Sequence, residues 1–88
     1  MRSRPILQTL GDEVRDRRCE RNLSQETLAE AAGIDVNTLR RLEKAQAECQ
    51  ILTLIDVAMG LRMPLAELIA GMERRALETQ QVLELTGI

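Results

Sequence analysis

The sequence predicts an all-α fold of five helices around one core, with an additional C-terminal helix. Three observations point there. Ala, Leu, Glu, Arg and Gln dominate the chain, and all are strong helix formers. Apolar residues recur three and four apart, and no run of β-branched residues alternates with period two. Glycine, asparagine, serine, aspartate and proline fall between the periodic stretches, where helices stop and start. At 88 residues the chain has room for one compact core.

Each element has its own warrant. Leu7, Leu10 and Val14 recur at helical spacing and Asn22 closes the stretch, giving a first helix from about Ile6 to Arg21. Ser24 caps a second helix, Glu26 puts a negative charge in its first turn, Leu28 and Ala29 face inward, and Gly33 ends it in a left-handed conformation. Asp35 caps a third helix, Val36 to about Lys44. There Leu39 and Leu42 form the buried stripe, and Asn37, Arg40, Arg41 and Lys44 give a basic, polar outer face. A fourth helix runs from about Ile51 to Met59, with Leu54, Ile55 and Ala58 on one side and Gly60 as its exit. Pro64 suits the first position of a fifth helix that buries Leu65, Leu68 and Ile69. Gly71 marks a bend, and a further helix is expected from about Met72 to Leu85.

Composition excludes several functions. The chain has no aromatic residue and no histidine, which removes His-based acid–base chemistry, His-ligated metals and aromatic platforms for stacking bases. Cys19 and Cys49 are too far apart for a metal knuckle and are expected to be reduced, small core or half-buried residues. Ser3 and Ser24 have no base partner, and the carboxylates fall on helical faces beside arginines, so no enzyme is expected and no cofactor or metal is implied. No apolar stretch spans a membrane and no secretory signal is readable, which places the chain in the cytoplasm. The net charge of −2 hides an asymmetry: residues 1–46 hold nine basic side chains against eight acids, and residues 47–88 hold three against six. An anionic partner would meet the first half.

Two short helices joined by a tight glycine turn, the second apolar inside and polar outside, form the arrangement that inserts a helix into the DNA major groove. The run Leu23-Ser24-Gln25-Glu26-Thr27-Leu28-Ala29-Glu30-Ala31-Ala32-Gly33-Ile34-Asp35-Val36-Asn37-Thr38-Leu39-Arg40-Arg41-Leu42-Glu43 resembles the helix-turn-helix of the Cro and phage-repressor (XRE-type) family. The likeness extends back to Leu10-Gly11 and Arg18, and forward through Leu52-Thr53-Leu54 and Leu61 to Leu65-Ala66-Glu67-Leu68. It covers roughly residues 10–70 and implies a lambda-repressor-like DNA-binding domain over residues 1–70; residues 71–88 lie beyond it and are expected to form a C-terminal helical extension. It further implies that Val36, Asn37, Arg40 and Arg41 face base edges. Asparagine pairs bidentately with adenine, arginine with guanine, and a valine methyl packs on thymine. Gln25, Thr38 and Lys44 would contact phosphate, and Arg18 with Glu43 would form a structural ion pair between helices 1 and 3.

The chain departs from this pattern after helix 3. Ala45-Gln46-Ala47-Glu48-Cys49 stands where the family shows a glycine, a short basic stretch and a proline. Without the glycine, helix 3 is expected to run about a turn past Lys44. Arg17 stands where the family prefers an apolar residue and is expected to reach phosphate. With so few basic residues in the loop, tight binding to double-stranded DNA requires a dimer on paired half-sites. Leu65, Ile69, Met72, Ala76, Thr79 and Leu83 alternate four- and three-residue spacing, which assigns Met72, Ala76, Thr79 and Leu83 to a homodimer interface. The alternative is that the tail folds back over its own core. The function expected is a sequence-specific transcriptional regulator, a repressor or controller. The alternative is an antitoxin-like or other module that retains the fold, binds DNA weakly and meets a protein partner.

Overall fold

The computed structural model of the protein describes the backbone of residues 3–46 and 48–85 and the side chains of residues 6–46 and 48–80. Five helices follow in order: α1 (Ser3–Glu20), α2 (Gln25–Ala32), α3 (Val36–Glu43), α4 (Ile51–Gly60) and α5 (Leu65–Leu85). No strand occurs among the described residues. Leu10 and Val14 of α1, Leu28 and Ala29 of α2, Leu39 and Leu42 of α3, Leu54, Val57 and Ala58 of α4 and Leu68 of α5 meet in one core. Leu61 and Met63 close it from the turn between α4 and α5. Each leucine so buried stabilises the fold by roughly 2 kcal/mol relative to exposure. α1 packs on α3 and α5, α2 on α3 and α4, and α4 on α5.

Caps fix where α2 and α3 begin. The Ser24 hydroxyl oxygen accepts from the Thr27 N–H at 3.0 Å, and the Asp35 carboxylate from the Asn37 N–H at 2.7 Å. Each satisfies a donor that the first turn leaves open, a contribution of about 1 kcal/mol.

α1 to α4 all end in one motif. The chain turns at a left-handed residue: Asn22 (φ 55°), Gly33 (φ 72°), Ala45 (φ 57°) and Arg62 (φ 57°). The next N–H reaches five residues back: Leu23 to Arg18 O at 3.1 Å, Ile34 to Ala29 O at 3.0 Å, Gln46 to Arg41 O at 2.9 Å and Met63 to Ala58 O at 3.0 Å. The left-handed residue itself bonds three back, so each end is a Schellman motif.

Three expectations need correction. The missing glycine does not lengthen α3, which stops at Glu43; Ala45 adopts the left-handed turn itself, at a Cβ cost of roughly 1 kcal/mol that the two returning hydrogen bonds offset. Gly60 is the last residue of α4 rather than its exit, and Arg62 makes the turn. Nor does Gly71 bend the chain. The additional C-terminal helix is present as an unbroken extension of α5, and Gly71 is buried against Glu13, where any Cβ would overlap the carboxylate.

Candidate nucleic-acid interface

α3 is held from behind by α1. A Cβ at Gly11 would lie 2.7 Å from the carbonyl oxygens of both Leu42 and Glu43, so glycine lets the α1 backbone touch the end of α3. Leu39 and Leu42 point into the core. Asn37, Thr38, Arg41 and Lys44 are exposed on the opposite side, and Arg40 is half-buried. Val36 packs partly against the core, so only part of it reaches this face.

A chain of polar contacts orders the face. Arg18 grips Glu43 with both edges of its fork, Nε to Oε2 at 2.8 Å and Nη2 to Oε1 at 3.1 Å, while its Nη1 donates to the Leu23 carbonyl at 2.9 Å. The hydrogen bond to Glu43 raises the Arg18 pKa against the opposing effect of burial. Glu43 is buried, its side chain 4% exposed, and removal of this partner would strand it without a counter-charge. Gln25 Nε2 donates to Glu43 Oε1 at 3.0 Å, and Gln25 Oε1 accepts from Arg40 Nε at 3.3 Å. Arg40 Nη1 then donates to Asn37 Oδ1 at 3.1 Å, and Nη2 to Glu26 Oε2 at 3.3 Å. The resemblance assigns Gln25 to phosphate and Arg40 to a base edge; it carries no sign that they bridge to a buried glutamate.

Among the described residues, the side chains of Thr38, Arg41 and Lys44 have no hydrogen-bond or ion-pair partner. Arg41 and Thr38 border a shallow hollow against Cys49, Gln50 and Thr53 at the start of α4. Cys49 packs on the core, and burial pushes its thiol pKa up, away from the reactive thiolate. Cys19 is exposed on α1. No group of His, Cys, Asp or Glu among the described residues could hold a metal ion.

Arg17 is committed elsewhere. Its Nε bonds Glu13 Oε2 at 2.7 Å and its Nη1 lies 3.7 Å from Glu20, so its charge is answered inside the fold rather than offered to phosphate. Arg75 of α5 meets the same glutamate, Nε to Oε1 at 2.7 Å, and also bonds Asp16. Burial raises the pKa of Glu13, but hydrogen bonds from Arg75 and Arg17 outweigh it and hold the carboxyl below its ordinary value. This cluster locks α5 onto α1. Met72 accordingly packs on the protein's own core, Ala76 is half-buried, and Thr79 is exposed with its hydroxyl donating to Arg75 O at 3.0 Å. The side chain of Leu83 lies outside the described residues.

Comparison with known proteins agrees with this geometry. A helix-turn-helix family model matches residues 14–68. The chain belongs to the helix-turn-helix family. The restriction-modification controller protein C.AhdI from Aeromonas hydrophila is similar to it, with 31% identity and a TM-score of 0.69, covering 70% of this chain and 94% of that one. So is the clp gene regulator ClgR from Corynebacterium glutamicum, with 25% identity and a TM-score of 0.76, covering 92% of this chain and 93% of that one. A search of curated proteins finds no match. No helix among the described residues is long and apolar enough to cross a membrane.

Proposed function

We propose that this helix-turn-helix protein is a DNA-binding transcription regulator that reads two related half-sites as a homodimer and acts as a repressor or controller. The observation that carries this is the α3 face: a guanidinium without a partner among the described residues, Arg41, beside the exposed amide of Asn37, on a helix anchored by the Arg18–Glu43 fork. An arginine fork suits the O6 and N7 edge of guanine, and the asparagine amide suits adenine. Thr38 and Lys44 flank them as phosphate contacts that set register, and Arg17 is withdrawn from that set. That the similar proteins are a restriction-modification controller and a clp gene regulator supports a regulatory role.

The dimer reading draws support from α4. Ile51, Leu52 and Met59 are 60%, 70% and 71% exposed, and with Ile55 they fall within about a 100° sector of the helix. Leu54, Val57 and Ala58 occupy the inner side, so α4 is apolar over far more of its circumference than its own core covers. The outer sector carries no charge, and the one ionisable residue of α4, Asp56, lies at its edge. A second copy, presenting the same uncharged face about a two-fold axis, is the occupant that fits. A single copy offers few uncommitted cations to phosphate, and pairing doubles them. This moves the proposed interface from Met72, Ala76 and Thr79 to α4.

Two measurements test the proposal. The full chain should enrich a defined sequence from a random duplex pool, and N37A/R41A should lose that binding while keeping its melting temperature; enrichment of nothing would sink the DNA reading. Sedimentation should report a dimer for wild type and a folded monomer for M59E. A wild-type monomer would remove the dimer, and an M59E dimer would return the interface to α5 or elsewhere.

A further inference from the structure

We infer that Glu26 is a specificity-determining positioning residue of the DNA-reading face: its carboxylate holds Arg40 back and so lowers affinity for unrelated DNA. The inference rests on the reading of α3 as the helix that faces DNA.

Glu26 is the second residue of α2. A helix N-terminus carries positive partial charge and free N–H groups, which favour an approaching phosphate. Here a carboxylate already stands at that end. It reaches across to α3 and meets Arg40 Nη2 at 3.3 Å, with the two side chains 68% and 40% exposed. All three nitrogens of Arg40 are therefore engaged: Nε by Gln25, Nη1 by Asn37 and Nη2 by Glu26. Of these partners only Glu26 is charged, so Glu26 alone both neutralises Arg40 and repels a phosphate.

An ion pair so open to water contributes little to stability. It is also easily exchanged, and the exchange depends on what DNA offers. A guanine edge or a phosphate held in register by Arg41 and Asn37 supplies a bidentate acceptor that can replace Glu26. DNA bound out of register supplies only scattered phosphates, against which Glu26 retains its arginine. The face thus carries one arginine free to bind and one released only by a correct site. Uniform attraction becomes a difference between sites, which is what specificity consists of.

The test uses the full chain, the duplex that wild type enriches from a random pool, and an unrelated duplex of equal length, from about 50 to 200 mM salt. E26Q and E26A should bind the unrelated duplex several-fold more tightly than wild type. Their log–log salt slope on it should steepen by about 0.9, the signature of one more phosphate contact. The ratio of affinities for the two duplexes should fall, and adding R40A should return the slope to the wild-type value. Weaker or unchanged binding by E26Q and E26A would overturn the inference. So would a steeper slope that survives R40A, because Glu26 would then act by repulsion without Arg40. Failure of wild type to enrich any duplex is a separate result, which strikes the DNA reading itself.

Discussion

Two buried glutamates anchor this small protein, and they are used differently. Glu13 sits between α1 and α5, gripped by Arg17 and Arg75, which also meet Glu20 and Asp16 of α1. Glu43 sits between α1 and α3, gripped by Arg18 alone; its other partner is the neutral Gln25, and from there the contacts run outward through Arg40 to the surface. The first network commits its cations to acids of α1 and so fastens helix to helix. The second ends on groups that an outside ligand can replace. The same pairing of carboxylate and guanidinium therefore acts as a fastener in one region and as the root of an adaptable surface in the other.

The comparison can be broken at its strongest point first. R18A leaves Glu43 buried without its counter-charge, and about 3–5 kcal/mol of stability should be lost in denaturant titration. A loss below about 1 kcal/mol would mean that Gln25 suffices. G71A drives a Cβ into the Glu13 carboxylate and should cost about 1–3 kcal/mol if Arg17 and Arg75 hold that carboxylate in place; wild-type stability would show that the carboxylate swings aside at no cost. A45G should stabilise by about 1 kcal/mol through relief of left-handed strain at the end of α3, read as a higher melting temperature with unchanged helical content.

The finest distinction is in acid. Because the folded Glu13 pKa is depressed, its contribution is fully present above the ordinary glutamate range and is lost as pH falls through the lowered folded value. The advantage of wild type over E13Q should therefore shrink as the solution is acidified, and an advantage constant with pH would deny the charge a role.

How far the sequence could be read depends on the range of the contact concerned. Ser24, Asp35 and Gly33 act within a few residues of themselves, so the starts of α2 and α3 and the turn between them were legible. Ala45 and Arg62 were not, because helix ends were sought at glycine and asparagine, and neither residue advertises a left-handed conformation. A usable signal did exist for Arg62: the residue after each of Asn22, Gly33 and Arg62 is apolar (Leu23, Ile34, Met63) and packs back on the core, the usual companion of such an end, whereas Ala45 is followed by the exposed Gln46. Gly71 was misread for a related reason. Glycine marks a bend and a close approach alike, and only the position of Glu13, far away in the chain, separates the two. The resemblance gives Gln25 and Arg40 DNA contacts, but the bonds between α2 and α3 that tie Gln25 to Glu43 and Arg40, and Arg40 to Glu26, join residues 14 to 18 apart in the chain. With 12 basic and 14 acidic residues, spacing cannot choose the pairs.

The layout of the α3 face also bears on how such a regulator changes its target over generations. Among the described residues Arg41 has no partner, so on the proposed reading of α3 exchanging it would alter what is read and leave the described contacts intact. Gln25, Arg40 and Glu43 are linked hand to hand, and a change in one strands the next. On that reading a lineage would drift to new operators one step at a time through position 41, while the linked positions would move only by coordinated replacement.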